Sequence, residues 1–141
     1  MSEDSRFKKF RPEAFYGKQR KHEFEALSEE IIGAAIKVNK ELGPGFLENI
    51  YEEALKIELS ENQINFEAQK EVKIKYREIE IGTHRLDMII EDQIIVELKP
   101  TRELTDVHFA QLRSYLKATE LKVGLLFNFA KPALAIKRIV N

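Results

Sequence analysis

The stretch "HRLDMIIEDQIIVELKP", residues 84 to 100, reads as two apolar strands joined by a polar turn. Runs this rich in Ile, Val and Met belong in the middle of a sheet, where an unpaired charge is costly or shifts its pKa until it is neutral. Asp87, Glu97 and Lys99 nevertheless interrupt them. With residues 91 to 93 as the turn, Ile90 pairs with Ile94 and Asp87 lies opposite Glu97; side-chain alternation then places Asp87, Glu97 and Lys99 on one face. A two-residue turn would break that parity. Two carboxylates about 5 Å apart, at an effective dielectric near 20, repel by roughly 3 kcal/mol, a large part of a domain's net stability. Something has to compensate.

A divalent cation does so directly, because carboxylates are hard oxygen ligands of the kind Mg²⁺ prefers, with Mn²⁺ as its substitute. Lys99 would then steer or help deprotonate an attacking water and contact a phosphate oxygen. The other reading is a structural salt bridge in which Lys99 neutralises Glu97, and these three residues alone support both equally. In "GFLENIYEEAL" the carboxylate of Glu48 shares a helical stripe with Tyr51, Leu55 and Leu59, where an acid is unexpected without a partner. Its place in a helix's first turn, favoured by the dipole, is the competing explanation. Glu52 and Glu53 read as solvated. Further along, His108, Gln111 and Tyr115 form one polar helical stripe able to bond phosphate, water or a base, with Val107, Leu112 and Leu116 carrying the packing.

Outward from this centre, apolar spacing predicts a helix from about Ser28 to Leu42, with Ser28 as N-cap and Ile31, Ile32, Ala35, Ile36, Val38 and Leu42 inward, ended by "GPG" at 43 to 45. A second helix runs from about Leu47 to Glu61 with Leu47, Ile50, Ala54, Leu55 and Leu59 inward. Val72, Ile74 and Tyr76 alternate with Lys73, Lys75 and Arg77 as a strand with a basic outer face, followed by a turn near Arg77 and Glu78 and a long strand bulged near Gly82. Thr105 caps a helix over about 106 to 118, "VGLLFNF" at 123 to 129 is a buried strand, and "IKRIVN" is an edge strand. A strand, a crossover helix and a strand imply a right-handed parallel pair.

The chain's 141 residues suit one domain with its own core. Cysteine is absent, which excludes disulfides, thiolate metal sites and a thiol nucleophile. "MSEDSRFKKF" has no apolar leader and no apolar run is long enough to span a bilayer, so a soluble cytoplasmic protein without membrane contact is expected. The net charge of −1 conceals an asymmetry: residues 1 to 24 hold seven Lys or Arg against four acids. Residues 1–26 are therefore read as a basic, flexible arm, suited to nucleic-acid phosphate or simply a solvated tail, and residues 27–141 as a single domain.

Gly45, Glu48 and Tyr51 in "ELGPGFLENIYEEAL", followed by "IIVELKP", "VHFAQLRSYL" and "IKRIVN", resemble the GxxExxY family, a branch of the PD-(D/E)XK nuclease superfamily, over residues 27 to 141. The resemblance implies an α/β (α+β) domain with a restriction-endonuclease-like αβββαβ core, a mixed central sheet flanked by helices. It implies Asp87, Glu97 and Lys99 as catalytic residues; Glu48, Asp87, Glu97 and the backbone at Leu98 as metal ligands; and Gln111 and Tyr115 as the Q-x-x-x-Y substrate-binding groups of the RecB-like branch, to which His108 is added from its place on the same helical stripe. Leu86 stands where the motif name has Pro, and Pro100 follows Lys99. The expected function is Mg²⁺-dependent hydrolysis of DNA phosphodiester bonds, with a homodimer or a larger complex as the candidate assemblies. The alternative is a non-catalytic module that keeps the fold and binds nucleic acid or protein through Lys73, Lys75, Arg77 and the arm. A glycosidase built on paired carboxylates leaves Lys99 without a role.

Overall fold

The computed structural model describes residues 13–141, with side chains from Phe24 onward. The first twelve residues of the basic arm lie outside the described residues. The elements are α1 (Glu13–Leu42), α2 (Glu48–Glu61), β1 (Phe66–Tyr76), β2 (Ile79–Ile90), β3 (Ile94–Lys99), α3 (Asp106–Thr119), β4 (Val123–Asn128) and β5 (Ala135–Val140). They build one five-stranded mixed sheet in the order β1-β2-β3-β4-β5. Its β3–β4 pair is parallel, with α3 as the crossover, and the other pairs are antiparallel. Among the described residues, no helix is long and apolar enough to cross a membrane.

Turn chemistry sets the registers. Residues 91 to 93 join β2 to β3 with Ile90 opposite Ile94, as the sequence predicts. Arg77 and Glu78 form the β1–β2 turn at positive φ. The bulge in that hairpin falls between Ile74 and Lys75 and leaves Ile81, next to Gly82, as the extra residue of β2.

Helices cover both faces. On one, Ile31, Ala34, Ala35 and Val38 of α1 and Tyr51, Leu55 and Leu59 of α2 pack on Met88, Ile90, Ile94, Val96, Leu98, Leu125 and Phe127. On the other, Leu112 and Leu116 of α3 pack on Val72, Leu86, Ile95 and Leu126. Gly124 lies under α3, where an added Cβ would come within 2.8 Å of Leu112.

Three expectations are corrected. Ser28 caps nothing: α1 begins at Glu13, and Ser28 is buried inside it on the stripe of Ile31, Ala35 and Val38. Ile36 is exposed because the contact face follows Ala34 and Ala35, whose small side chains suit close packing. In α2 the inward stripe is Tyr51, Glu52, Leu55 and Leu59, while Leu47 and Ile50 face out.

The feature that positions the site is a reversal in the β1–β2 ribbon. Phe66, Ala68, Met88 and Ile90 face α1 and α2, whereas Val72, Ile74 and Leu86 face α3. All seven positions are even, so alternation breaks once on each strand. It breaks between Ala68 and Val72 on β1 and between Leu86 and Met88 on β2. The ladder pairs Ala68 with Met88 and Lys70 with Leu86 and omits Gln69 and Asp87 between them. Gln69 adopts φ 55°, a left-handed conformation that costs a non-glycine residue roughly 1–2 kcal/mol.

Candidate active site

The G-x-x-E-x-x-Y run has a structural logic. Gly43 ends α1 at φ 71° and Gly45 continues the loop at φ 115°, conformations natural to glycine. The Tyr51 hydroxyl donates to the Gly43 carbonyl at 2.7 Å and accepts from the Phe46 N–H at 3.2 Å, and its ring stacks on Phe129 at 4.5 Å. Tyr51 thereby staples the loop to the core, and Glu48 begins α2 at a fixed place.

Asp87 and Glu97 interlock where the backbone pairing of β2 and β3 ends at Met88 and Val96. A Glu97 carboxylate oxygen accepts from the Asp87 N–H at 2.9 Å, and an Asp87 carboxylate oxygen accepts from the Leu98 N–H at 2.8 Å. Each acid occupies a backbone donor of the other strand, which satisfies that donor and fixes the rotamer. Simple parity does not account for this arrangement. Alternation along β3 turns Glu97 with Ile95 toward α3, while Asp87 stands at the reversal of β2. The ribbon reversal sends Asp87 toward α2, where oxygens of Glu48, Glu52 and Asp87 all lie within 4.8 Å of one another.

The electrostatics register this crowding. Burial first, then the charge of Asp87, raises Glu97 to about 8. Burial and the same charge raise Glu48 to about 7. Glu52 is raised too, chiefly by burial, against the lowering effect of its hydrogen bond with Gln69. Lys99 is half-buried beside the acids and holds the values of both Glu48 and Glu97 down, yet among the described residues no ion pair joins it to Glu97. The structural salt bridge is therefore absent. A set of close hard oxygens with too little positive charge around it suits a hard divalent cation, and the residues present fit one.

On the α3 side, the Tyr115 ring stacks on His84 at 4.0 Å with its hydroxyl 3.2 Å from Nδ1. The charges of Glu97 and Asp87 add to burial in raising the Tyr115 phenol, which places it within their field. Burial first, then the charge of Lys99, lowers the imidazole of His84, against the raising effect of Asp87. Tyr115 also lines a groove of about 600 Å³ between β1 and α3, together with Lys73, Lys75 and Lys117 and the acids Glu78 and Glu120.

The family model of the PD-(D/E)XK nuclease superfamily matches residues 25–139. The chain belongs to this superfamily. The crystal structure of SSO0001 is similar in fold, with a TM-score of 0.53 and 27% sequence identity. The alignment covers 66% of this chain and 49% of that one, so the chain spans about half the length of that relative. No curated protein matches it.

Within this PD-(D/E)XK domain the structure brings together Asp87, Glu97, Glu48 and Lys99 and sets Tyr115 nearby. The Leu98 N–H is taken up by Asp87. Gln111 is exposed on α3. The His108 Nδ1 accepts from the Thr105 N–H at 3.0 Å, so this ring caps its own helix. Val107 is 65% exposed and does not pack, because α3 contacts the sheet through Leu112 and Leu116.

Sequence reasoning missed Glu52, Gln69 and His84. Glu52 is 5% exposed, not solvated, because the reversed ribbon covers the second turn of α2. One signal was available: Glu52 stands four residues after Glu48 and one after Tyr51, on the edge of the same stripe.

Proposed function

We propose that the protein is a divalent-metal-dependent nuclease that hydrolyses DNA phosphodiester bonds. The observation that carries this reading is the interlocked Asp87–Glu97 pair, with the Glu48 and Glu52 carboxylates brought to it by α2 and Lys99 beside it. Glu48, Glu52 and Asp87 would hold the cation, Mg²⁺ or its substitute Mn²⁺, with Glu97 and the backbone carbonyl of Leu98 completing the set. When bound, the cation supplies Lewis-acid stabilisation of phosphoryl charge and acidifies a water at neutral pH.

Every other part of the reaction falls to the chain's own groups. Lys99, on the strand that carries Glu97, orients the attacking water in line with the scissile P–O bond and neutralises charge on a non-bridging oxygen. The water oxygen forms the new bond to phosphorus as the P–O3′ bond breaks, the proton it sheds passes to solvent, and the departing 3′-oxygen takes one from solvent to become a hydroxyl while the phosphate stays on the 5′-carbon of the other fragment. Tyr115, held by His84 within the field of the acids, and Gln111, one helical turn before it, contact the neighbouring backbone. The groove with Lys73, Lys75 and Lys117 offers the phosphates a path away from the site.

The test is incubation with single- and double-stranded DNA, and with RNA, in Mg²⁺ or Mn²⁺, comparing the wild type with Lys99→Ala. The expected result is DNA cleavage that leaves 5′-phosphate ends and is abolished by EDTA and by Lys99→Ala. Absence of cleavage on every substrate, with nucleic-acid binding unaffected by Lys99→Ala, would instead identify a binding module that retains the fold.

A further inference from the structure

Of the seven non-glycine residues at positive φ among those described, six sit at turns or helix ends and Gln69 alone lies inside a strand. Nothing local favours that conformation, since Gln lacks the short side chain with which Asn or Asp bonds its own backbone there. Backbone strain of this kind persists where surrounding structure over-determines it, and such positions cluster at functional sites. Here the strain coincides with three other features. Gln69 stands across from Asp87 in the interrupted ladder, both strands change face at this level, and the Gln69 Nε2 donates to Glu52 Oε1 at 2.8 Å.

Glu52 has little else to hold it. Its second oxygen lies 3.6 Å from Lys56 Nζ, and that ammonium is engaged more closely by Glu53 at 2.8 Å. The amide of Gln69 is thus the tighter of the two restraints on this carboxylate. We propose that Gln69 is a positioning residue for the acidic cluster: its left-handed backbone turns the β1–β2 ribbon over, and its amide fixes Glu52 in the orientation that joins Glu48 and Asp87 around a divalent cation. The inference rests on the metal site proposed above and deepens it, assigning a residue outside the ligand set to metal affinity.

The experiment is Mn²⁺ binding, followed through the electron paramagnetic resonance signal of free Mn²⁺, together with melting temperature, and it needs no nucleic acid. Glycine adopts φ 55° without strain, and that relief offsets part of the cost of its greater unfolded-state freedom and of the lost hydrogen bond to Glu52, so Gln69→Gly should stay folded and melt within a few degrees of the wild type. It should bind Mn²⁺ roughly tenfold more weakly, the scale found when the partner of a metal ligand is removed. Gln69→Asn, which tolerates the left-handed conformation but presents its amide one methylene short, should weaken binding similarly. In a Glu52→Gln background, Gln69→Gly should cause no further loss, because it acts through that carboxylate. Unchanged Mn²⁺ affinity in Gln69→Gly, or an equal loss in both backgrounds, overturns the inference and leaves the metal site standing. A wild type that binds no Mn²⁺ overturns both.

Discussion

Helices α2 and α3 flank the same end of the sheet and serve it in opposite ways. α2 turns carboxylates inward: Glu48 and Glu52 share its buried side with Tyr51 and Leu55. α3 turns Leu112 and Leu116 inward and brings Tyr115 to His84, while its acid, Asp106, stays exposed in the first turn. The site is therefore anionic on one side and aromatic on the other, with Asp87, Glu97 and Lys99 between them. That asymmetry suits a cation held on the α2 side and a polyanionic substrate approached from the α3 side. It also shows that helical periodicity names a stripe but not its edges. The edge of α2 that carries Glu52 is buried where Gln69 and Asp87 of the β1–β2 ribbon meet it.

The largest expected effect tests the middle of this arrangement. Lys99→Ala should lower cleavage by roughly 10²–10⁴-fold, the range for a positioned proton-transfer or charge-stabilising group, while Mn²⁺ binding survives. Loss of both together would place Lys99 in structural support of the acids.

The next contrast lies within α2. Glu52→Gln should weaken Mn²⁺ by at least tenfold, and Glu53→Gln, one residue on and exposed, should leave it unchanged; isothermal titration separates them. Equal behaviour of the two variants would remove Glu52 from the ligand set.

A third effect is read in pH. Glu97 near 8 and Glu48 near 7 lie above the ordinary value of 4.5, so the folded metal-free protein holds protons that the unfolded chain releases. Their contribution to stability is complete below about pH 4.5, declines as pH rises, and is gone once pH passes about 8. The melting temperature of the metal-free protein should fall across that interval. Saturating Mn²⁺, held by the ionised acids in the proposed site, should flatten or reverse the trend near neutrality. A metal-free melting temperature that rises from pH 6 to 8 would contradict the crowding of the acids.

The smallest effect separates two residues of α3. His108→Ala removes a helix cap and should cost about 1 kcal/mol, a few degrees in melting temperature, with cleavage intact. Tyr115→Phe should leave stability nearly unchanged and weaken oligonucleotide binding several-fold. The opposite pairing would return His108 to the substrate.

Much of this was legible in the residues themselves. The turn at 91 to 93, the two strands beside it, the glycines that stop α1, Thr105 at the start of α3 and the crossover to a buried β4 all follow from backbone geometry acting over a few residues. Asp87, Glu97 and Lys99 stood out because charges in apolar strands need partners. Glu48 stood out for the same reason on a helix. The tertiary structure alone decided that Ser28 lies inside a helix, that Glu52 is buried, that Gln69 is strained and bonded to it, and that His84 meets Tyr115. These depend on which surface arrives from elsewhere in the chain. Periodicity is fixed by local covalent geometry, but a helix edge is buried, or a left-handed glutamine tolerated, only when the packing of the whole sheet offsets the cost.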